Sequence, residues 1–362
     1  MRKISSLVAV AVFGATCTNA APTLPPGAGP AVQTYRVLRL LEPDSLYLTR
    51  PSAMVRGRHG ETYVSDVVGN RVVTYDDNGR PVRVFGRPGG GPGEFRQAST
   101  MFLRDDSTLA VADLSRAIFQ LFDLRTGDFR GSLSCEGIGS SVSYQDSVIW
   151  LGAMSLGRKT SVAALRAGAD SLEYLIPLPP EYLRMPWLAG TFPGSRVAAW
   201  RDTLLVGMTA SDVLRVFSAD GRLVDSVVVP VRIRRGVPPD IERQFERHHR
   251  TQRDWVRLTS ALLGLFRQSN GAFVLVHADY DIVGPLTTAD LFVTTLTPDR
   301  QHACVDTQLP VSGDAAPLVT FRADTLYVMD RQVVSDTAVE TRITAYGIDG
   351  SRCRLAKLHE HR

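Results

Sequence analysis

The sequence predicts an all-β fold, a six-bladed β-propeller, from three observations. A turn residue followed by a short apolar strand recurs six times along the chain. Further strands and Gly-containing hairpin turns follow the best copies, such as Asp77-Asn78-Gly79. A free strand precedes the first copy and can close a ring. One small sheet cannot bury both of its faces, so sheets repeated every 40 to 70 residues or so are expected to pack radially.

The recurrent strand identifies the six blades. Its copies span residues 60–66, 107–113, 146–152, 202–208, 270–277 and 324–330. The first two copies match most closely, since Asp66 and Asp113 are each followed ten residues later by another aspartate, Asp76 or Asp123. Asp66, Asp113 and Asp330 recur at one register, and an aspartate repeated in this way is interpreted as a turn acceptor for backbone N–H groups, not as a catalytic acid.

Two segments compete to complete the last blade. The strand from Tyr35 to Leu41 is well placed to pair near Ile343 to Tyr346, which would close the ring with the N-terminal strand. Alternatively, Ser351 to Leu358 completes the last blade without help from the N-terminus.

The N-terminus has the layout of a secretory signal. Arg2 and Lys3 precede an apolar run, which is too short for a mature transmembrane helix, and small residues follow it. We expect residues 1–20 to be a signal peptide, 21–33 a flexible linker and 34–362 the propeller. An alternative is a lipoprotein whose signal ends before Cys17. A lipid on Cys17 would then tether the protein to a membrane surface. Both interpretations predict export, with a periplasmic, membrane-tethered or secreted protein.

Charge and cysteine content argue against several classes of partner. Without Arg2 and Lys3, 39 basic residues face 37 acidic ones, which gives no argument for nucleic acid. We expect a monomer that does not bind nucleic acid. No Cys/His spacing indicates a metal, and no cofactor is expected. Cys135, Cys304 and Cys353 are predicted in the outermost strands of blades two, five and six, which splay apart, so free thiols are expected.

The first blade closely resembles an NHL repeat. The matching residues are Tyr63-Val64-Ser65-Asp66, Asn70-Arg71-Val72, Phe85-Gly86 and the glycine-rich run Gly89-Gly90-Gly91-Pro92-Gly93-Glu94-Phe95. This pattern is typical of exported NHL-like six-bladed propellers of bacteria. The resemblance implies the fold but no single function, because some relatives are lyases or lactonase-like enzymes with metal sites in the channel. No matching set of His and acidic residues is seen in this sequence.

Candidate ligand-binding residues follow the recurrent strands. In a propeller, the turns after these strands and the connections between blades open on one face, at the channel mouth. The candidates there are Arg71, Arg116, Arg331, His277, Asp279 and Tyr280. The arginines are expected either to brace neighbouring blades, as the NHL pattern implies for Arg71, or to grip an anionic ligand. His277 is a candidate metal ligand or general base.

A longer insertion interrupts the repeat between the fourth and fifth recurrent strands. Asp240 follows two prolines and is a suitable helix N-cap, so residues 238–258 are predicted to include an amphipathic helix. His248, His249 and Trp255 within it are further candidate ligand-binding residues. The helix is expected to pack on the blades, to act as a lid over the mouth, or to contact anionic lipid or another acidic partner.

Two functions therefore remain open. The first is an exported, non-catalytic binding propeller that presents its channel mouth to a protein, peptide or glycan. The alternative is a hydrolase or lyase with a site near His277, lidded by residues 238–258. The first is favoured because the sequence contains no recognisable catalytic set.

Overall fold

The structure is a closed ring of six antiparallel β-sheets. This computed structural model describes residues 29–229, 243, 259–283, 286–311, 317–335, 338–353 and 355–360. The described part begins with strand β1 (Ala31–Arg39), which starts inside the predicted linker, and continues through a short 3-10 helix, Asp44–Leu46. The first strands of neighbouring sheets contact one another in an unbroken cycle. The predicted six-bladed propeller is therefore confirmed.

The first three blades follow in sequence. Blade 1 contains β2 (Pro51–Arg56), β3 (Thr62–Asp66), β4 (Arg71–Tyr75) and β5 (Pro81–Phe85). Two short parallel strands, β6 (Arg87–Pro88) and β7 (Glu94–Phe95), link it to blade 2. Blade 2 contains β8 (Ala98–Leu103), β9 (Thr108–Asp113), β10 (Ile118–Asp123) and β11 (Phe129–Ser134). Blade 3 contains β12 (Ile138–Gln145), β13 (Val148–Met154), β14 (Thr160–Arg166) and β15 (Glu173–Pro177). Each blade is an antiparallel meander.

Two helices separate the two halves of the ring. They are α1 (Pro180–Arg184) and α2 (Pro186–Thr191). Blade 4 contains β16 (Ser195–Trp200), β17 (Thr203–Met208), β18 (Val213–Ser218) and β19 (Leu223–Val228). Blade 5 contains β20 (Ala261–Arg267), β21 (Phe273–Val283), β22 (Leu286–Leu296) and β23 (His302–Gln308). Blade 6 contains β24 (Leu318–Arg322), β25 (Thr325–Ser335) and β26 (Ala338–Asp349), and it takes its fourth strand from elsewhere in the chain.

The N-terminal strand closes the ring. Strand β1 pairs antiparallel with β26, with Arg36 opposite Ala345 and Leu38 opposite Ile343. Leu38 is buried with residues of blades 6 and 1. The predicted closure by the Tyr35–Leu41 region is confirmed, and the alternative closure by Ser351 to Leu358 is wrong.

The recurrent strand of the sequence is the second strand of each blade. Its side chains alternate between two inter-blade cores: in β9, Leu109 and Val111 pack toward blade 1, whereas Ala110 and Ala112 pack toward blade 3. Both faces of this strand are buried, which explains its nearly continuous apolar sequence. Among the described residues, each of the six blade junctions holds one such cluster.

The C-terminus forms a strap across the outer edges of blades 4 and 5. We define this C-terminal strap as residues 351–360. Its strand β27 (Ala356–Lys357) pairs with β23, and β28 (His359–Glu360) pairs with β19. Between them, Leu358 is 6% exposed and packs into the core between the two blades.

The strap corrects the prediction of free thiols. Cys353 forms a disulfide with Cys304 of β23, with Cα atoms 6.0 Å apart. The prediction placed Cys353 in the outermost strand of blade 6, but β1 occupies that position. The chain after β26 therefore runs toward blade 5, where Cys304 lies. Cys135 is a free, buried cysteine, and burial raises the pKa of its thiol to about 11.

The fold class also predicted a short helical insertion between blades. The described helices, α1 and α2, lie between blades 3 and 4, one junction before the predicted place. The predicted helical segment 238–258 lies outside the described residues, apart from Arg243. No helix in the described part of the chain has the length and apolar character needed to cross a membrane.

Candidate functional site

One face of the ring is built up around the channel, and we call it the mouth face. It carries the blade-to-blade connections and the turns from second to third strands, because the start of each first strand pairs with the end of the second. In blade 1, for example, Pro51 lies opposite Asp66, and in blade 4 Ser195 lies opposite Met208. This arrangement agrees with the predicted channel mouth.

Two neighbouring blades extend far beyond their sheets on the mouth face. In blade 5, pairing with β20 ends at Ala278, but β21 and β22 continue from Asp279 opposite Asp290 to Val283 opposite Leu286. In blade 6, β25 and β26 likewise continue from Asp330 opposite Arg342 to Ser335 opposite Ala338. We call these two-stranded extensions the blade 5 ribbon and the blade 6 ribbon. Five residue pairs at about 3.4 Å each make a wall about 17 Å high.

The two helices stand on the mouth face at blades 3 and 4. Each begins with a proline in its first turn, where a missing N–H costs nothing. Tyr182, Leu188 and Phe192 of this segment are buried against Met154 and Met208, at the mouth ends of β13 and β17. The helices therefore stand on the same face as the ribbons, and we call the space around the channel between them the recess.

The structure places the predicted candidates Arg71 and Arg331 together, on one connection. Arg71 donates to the carbonyl oxygens of Ser45 at 2.8 Å and Tyr47 at 2.9 Å. The guanidinium of Arg331 lies 5.1 Å from the centre of the Tyr47 ring and donates to the carbonyl oxygen of Thr49 at 3.4 Å. The two side chains hold the connection between blades 6 and 1 from both sides, which agrees with the bracing interpretation of Arg71.

The recurrent aspartates hold the same kind of connection. Asp66 accepts hydrogen bonds from the backbone N–H groups of Thr49 at 3.1 Å and Arg50 at 2.9 Å. Asp113 accepts from Arg96 at 3.1 Å and Gln97 at 3.2 Å, one blade further on. The interpretation as acceptors for backbone N–H groups is confirmed for Asp66 and Asp113, whereas Asp330 accepts from the Arg342 side chain at 3.1 Å.

Arg116 braces the glycine-rich run. Its guanidinium donates to the carbonyl oxygen of Gly91 at 3.2 Å. The Glu94 carboxylate accepts from the N–H groups of Gly90 at 3.0 Å and Gly91 at 2.9 Å. These backbone hydrogen bonds, with an ion pair to Arg87, hold the pKa of Glu94 below its usual range. The run is therefore a connection between blades that its own Glu94 and Arg116 of blade 2 hold in place.

The structure separates the candidates of blade 5. His277 is 1% exposed, its ring stacks on Phe292 at 5.3 Å, and its Nε2 lies 3.8 Å from a carboxylate oxygen of Asp306. It is thus buried within the sheet. Asp279 and Tyr280 were expected in a loop but lie at the base of the blade 5 ribbon, because β21 continues through them. Asp279 accepts a hydrogen bond from the hydroxyl of Ser260.

The remaining predicted candidates, His248, His249 and Trp255, lie outside the described residues. Within the described ranges, no group of three or more His, Cys, Asp and Glu side chains has the arrangement needed to hold a metal ion.

Arg196, the second residue of β16, was not among the predicted candidates. Its side chain is 9% exposed on the innermost strand of blade 4, near the mouth end. Nε donates to the carbonyl oxygen of Leu263 in blade 5 at 2.7 Å, and Nη1 donates to that of Ser195 at 3.3 Å. Tyr182 of α1 and Tyr280 of the blade 5 ribbon interact with it electrostatically. A charged residue inside an otherwise apolar strand is the signal that sequence reasoning could have used.

Comparison with known proteins supports the fold. No family model matches this chain, and the comparison with curated proteins gives no match. A member of the DUF4221 family from Bacteroides vulgatus is similar in structure, with a TM-score of 0.63 and 12% identity, covering 89% of this chain and 99% of that one. A candidate exported protein from Bacteroides fragilis has a TM-score of 0.59 and 9% identity, covering 88% and 95%.

A virginiamycin B lyase from Staphylococcus aureus is less similar. Its TM-score is 0.49 at 10% identity, with 88% of this chain and 99% of that one covered. At such identities a structural likeness shows a fold and not a shared activity. The similarity to the two Bacteroides structures therefore supports the fold alone.

Proposed function

We propose that this chain is an exported binding propeller that presents a walled recess at its channel mouth to a protein, peptide or glycan. The observation that carries the proposal is the asymmetry between the two faces. The blade 5 and blade 6 ribbons rise about 17 Å on the mouth face, whereas connections on the opposite face are turns of two to six residues. A wall of this kind gives a ligand surface beyond the narrow channel.

The ribbons offer contact groups as well as height. Val334, near the tip of the blade 6 ribbon, is 57% exposed. Valine is branched at Cβ and has few rotamers, so it loses little side-chain entropy when a partner covers it. The wall of the recess therefore carries an exposed apolar side chain in addition to the charge of Arg196 at its base.

The alternative, a hydrolase or lyase with a site near His277, has less support. A general base must come within hydrogen-bond reach of the proton it removes. His277 is buried in the sheet of blade 5 and stacked on Phe292, so a ligand in the recess does not meet its ring. We therefore favour binding without chemistry at this position.

We further propose export by the signal in residues 1–20, or a lipid tether at Cys17, with the folded part periplasmic, tethered or secreted. The similarity to a candidate exported protein agrees with this proposal. Membership of the NHL-repeat family remains a proposal that rests on the pattern in blade 1. We expect a monomer without a nucleic-acid partner.

The experiment screens the purified chain against peptide and glycan arrays. One variant replaces residues 333–339 by Asn-Gly, which joins Gln332 to its pairing partner Glu340 by a two-residue turn. A second comparison pairs Val334→Ser with the control Val82→Ser. Val82 is similarly exposed, at 59%, but lies on the outer strand of blade 1. We expect capture by the wild type and V82S, and loss in the shortened variant and V334S.

Two results would contradict the proposal. One is equal capture by the wild type and the shortened variant, which would place the binding surface elsewhere. The other is hydrolysis of an ester or lactone probe that disappears in His277→Ala while the fold persists, which would favour the enzyme.

A further inference from the structure

Arg196 occupies an unusual place for a charged side chain. It is 9% exposed at the base of the recess, on the strand that lines the channel. Its two hydrogen bonds both go to backbone carbonyl oxygens, those of Leu263 and Ser195. A guanidinium has five N–H donors, so three of them lack a hydrogen-bond partner among the described residues.

No carboxylate balances this charge within the described ranges. Arg56 provides a comparison inside the same molecule, because it is also 9% exposed but forms an ion pair with Asp77 at 3.3 Å. Burying an uncompensated charge is costly. Burial lowers the pKa of Arg196 to about 10, so the side chain still carries its positive charge at neutral pH. The free N–H groups of Arg196 are not among the fully buried polar atoms without a partner, so an anion in the recess can balance this charge.

Two tyrosines are close enough to Arg196 to interact with it electrostatically. Tyr182 comes from α1, and Tyr280 comes from the blade 5 ribbon, where its ring packs on the core between blades 5 and 6. Burial raises the pKa of Tyr280 to about 12, so its hydroxyl keeps its proton at neutral pH. That hydroxyl has no hydrogen-bond partner in the described part of the chain and can donate to a bound oxygen atom.

We propose that Arg196 and Tyr280 form a subsite for a carboxylate group of the ligand. The planar guanidinium fork matches the two oxygens of a carboxylate. One unbalanced positive charge also matches a monoanion, whereas a phosphate group near two negative charges would leave one charge uncompensated in a buried place. This inference rests on the proposed function, because it assigns the ligand's chemistry at the base of the same recess.

The test titrates the full chain calorimetrically with benzoate, with its neutral isostere benzamide, and with inorganic phosphate at matched ionic strength. Benzoate is expected to bind the wild type more tightly than phosphate does. Benzamide is expected not to bind. Arg196→Gln is expected to weaken benzoate binding by at least about tenfold, as for loss of a charge-assisted hydrogen bond. Tyr280→Phe is expected to weaken it by about two- to tenfold.

A matched control separates the subsite from blade bracing. Arg104 also donates to a backbone carbonyl oxygen of the next blade, that of Ala169 at 2.8 Å, but on the opposite face. Arg104→Gln should leave benzoate affinity unchanged. If Arg196→Gln does not fold, benzoate affinity is compared in Arg196→Lys and Tyr280→Phe, because both variants keep a positive charge at position 196.

The inference is overturned if benzoate does not bind the wild type or if benzamide binds equally well. It is also overturned if Tyr280→Phe and every folded Arg196 variant bind benzoate as tightly as the wild type. Its failure differs from that of the proposed function. Ribbon-dependent capture on the arrays without benzoate binding would contradict the carboxylate subsite and support the binding function. Arg196-dependent benzoate binding without capture on the arrays would support the subsite and contradict the binding function.

Discussion

Reducing the disulfide between Cys304 and Cys353 is expected to lower the thermal midpoint of the protein measurably. The two cysteines are 49 residues apart in sequence, and the bond ties the C-terminal strap to blade 5. Closing a loop of that length stabilises a folded chain by about 4 kcal/mol in the chain-entropy treatment. A chain of 362 residues has an unfolding entropy of about 0.75 kcal/mol/K, so the midpoint should fall by about 5 °C.

The assay is thermal unfolding with and without a reductant, combined with hydrogen exchange by mass spectrometry. Exchange should increase in the strap first, because β27 and β28 are only two residues long and lie at sheet edges. The double variant C304A/C353A serves as the control, because its midpoint should already be lowered and should not respond to reductant.

A wild-type midpoint that stays unchanged after thiol counting shows three reduced cysteines in residues 29–360 would contradict this prediction. The prediction would also be refuted if exchange increased uniformly instead of in the strap, because the strap would then not be a separate element.

Three further predictions concern other parts of the ring. Leu358→Ala should lower the free energy of unfolding by about 2 to 3 kcal/mol in denaturant titrations, because this side chain is 6% exposed between blades 4 and 5. Asp77→Asn should make stability less dependent on pH below about 4. The hydrogen bond from Arg36 lowers the pKa of Asp77, so the contribution of this carboxylate is present above its unfolded pKa of about 4 and is lost as pH falls through the lowered folded pKa. This is measured by thermal midpoints across that range, and an unchanged pH profile would contradict it. Gly86→Ala should destabilise by at least about 1 kcal/mol, because φ is +72° and a Cβ atom would lie 2.2 Å from Phe95, whereas Gly157→Ala meets nothing within 4 Å and should be nearly neutral in the same titration.

The architecture could be predicted because the second strand of every blade is buried on both faces. That burial forces an apolar sequence after each turn, and six copies remain visible although the rest of the repeat has diverged. Closure by the N-terminal strand was also predictable, since a strand without a partner blade precedes the first repeat. These features depend on local sequence patterns.

The pairing of the cysteines could not be predicted, because it depends on which strand occupies the outer edge of blade 6. Once β1 takes that position, the C-terminal residues must lie elsewhere, and only the three-dimensional arrangement shows that they cross blades 5 and 4. The sequence before β16 did contain a usable signal for the helices, since Pro180 and Pro186 each stand at a helix start.

The candidate site was predicted only in outline. The mouth face and the blade 5 candidates Asp279 and Tyr280 were placed correctly at one end of the blades, but the ribbon that carries them was interpreted as a loop, because polar residues interrupt its apolar pattern. Arg196 was missed because it follows no recurrent strand: it lies on a first strand, whose sequence has diverged more among the blades.

The most direct measurement is a crystal structure of the full chain with benzoate. We predict density for the carboxylate within hydrogen-bond distance of the Arg196 guanidinium and the Tyr280 hydroxyl, at the base of the recess between the blade 5 ribbon and α1. An ion pair between Arg196 and a carboxylate of the chain itself, with benzoate absent from the recess, would contradict the account.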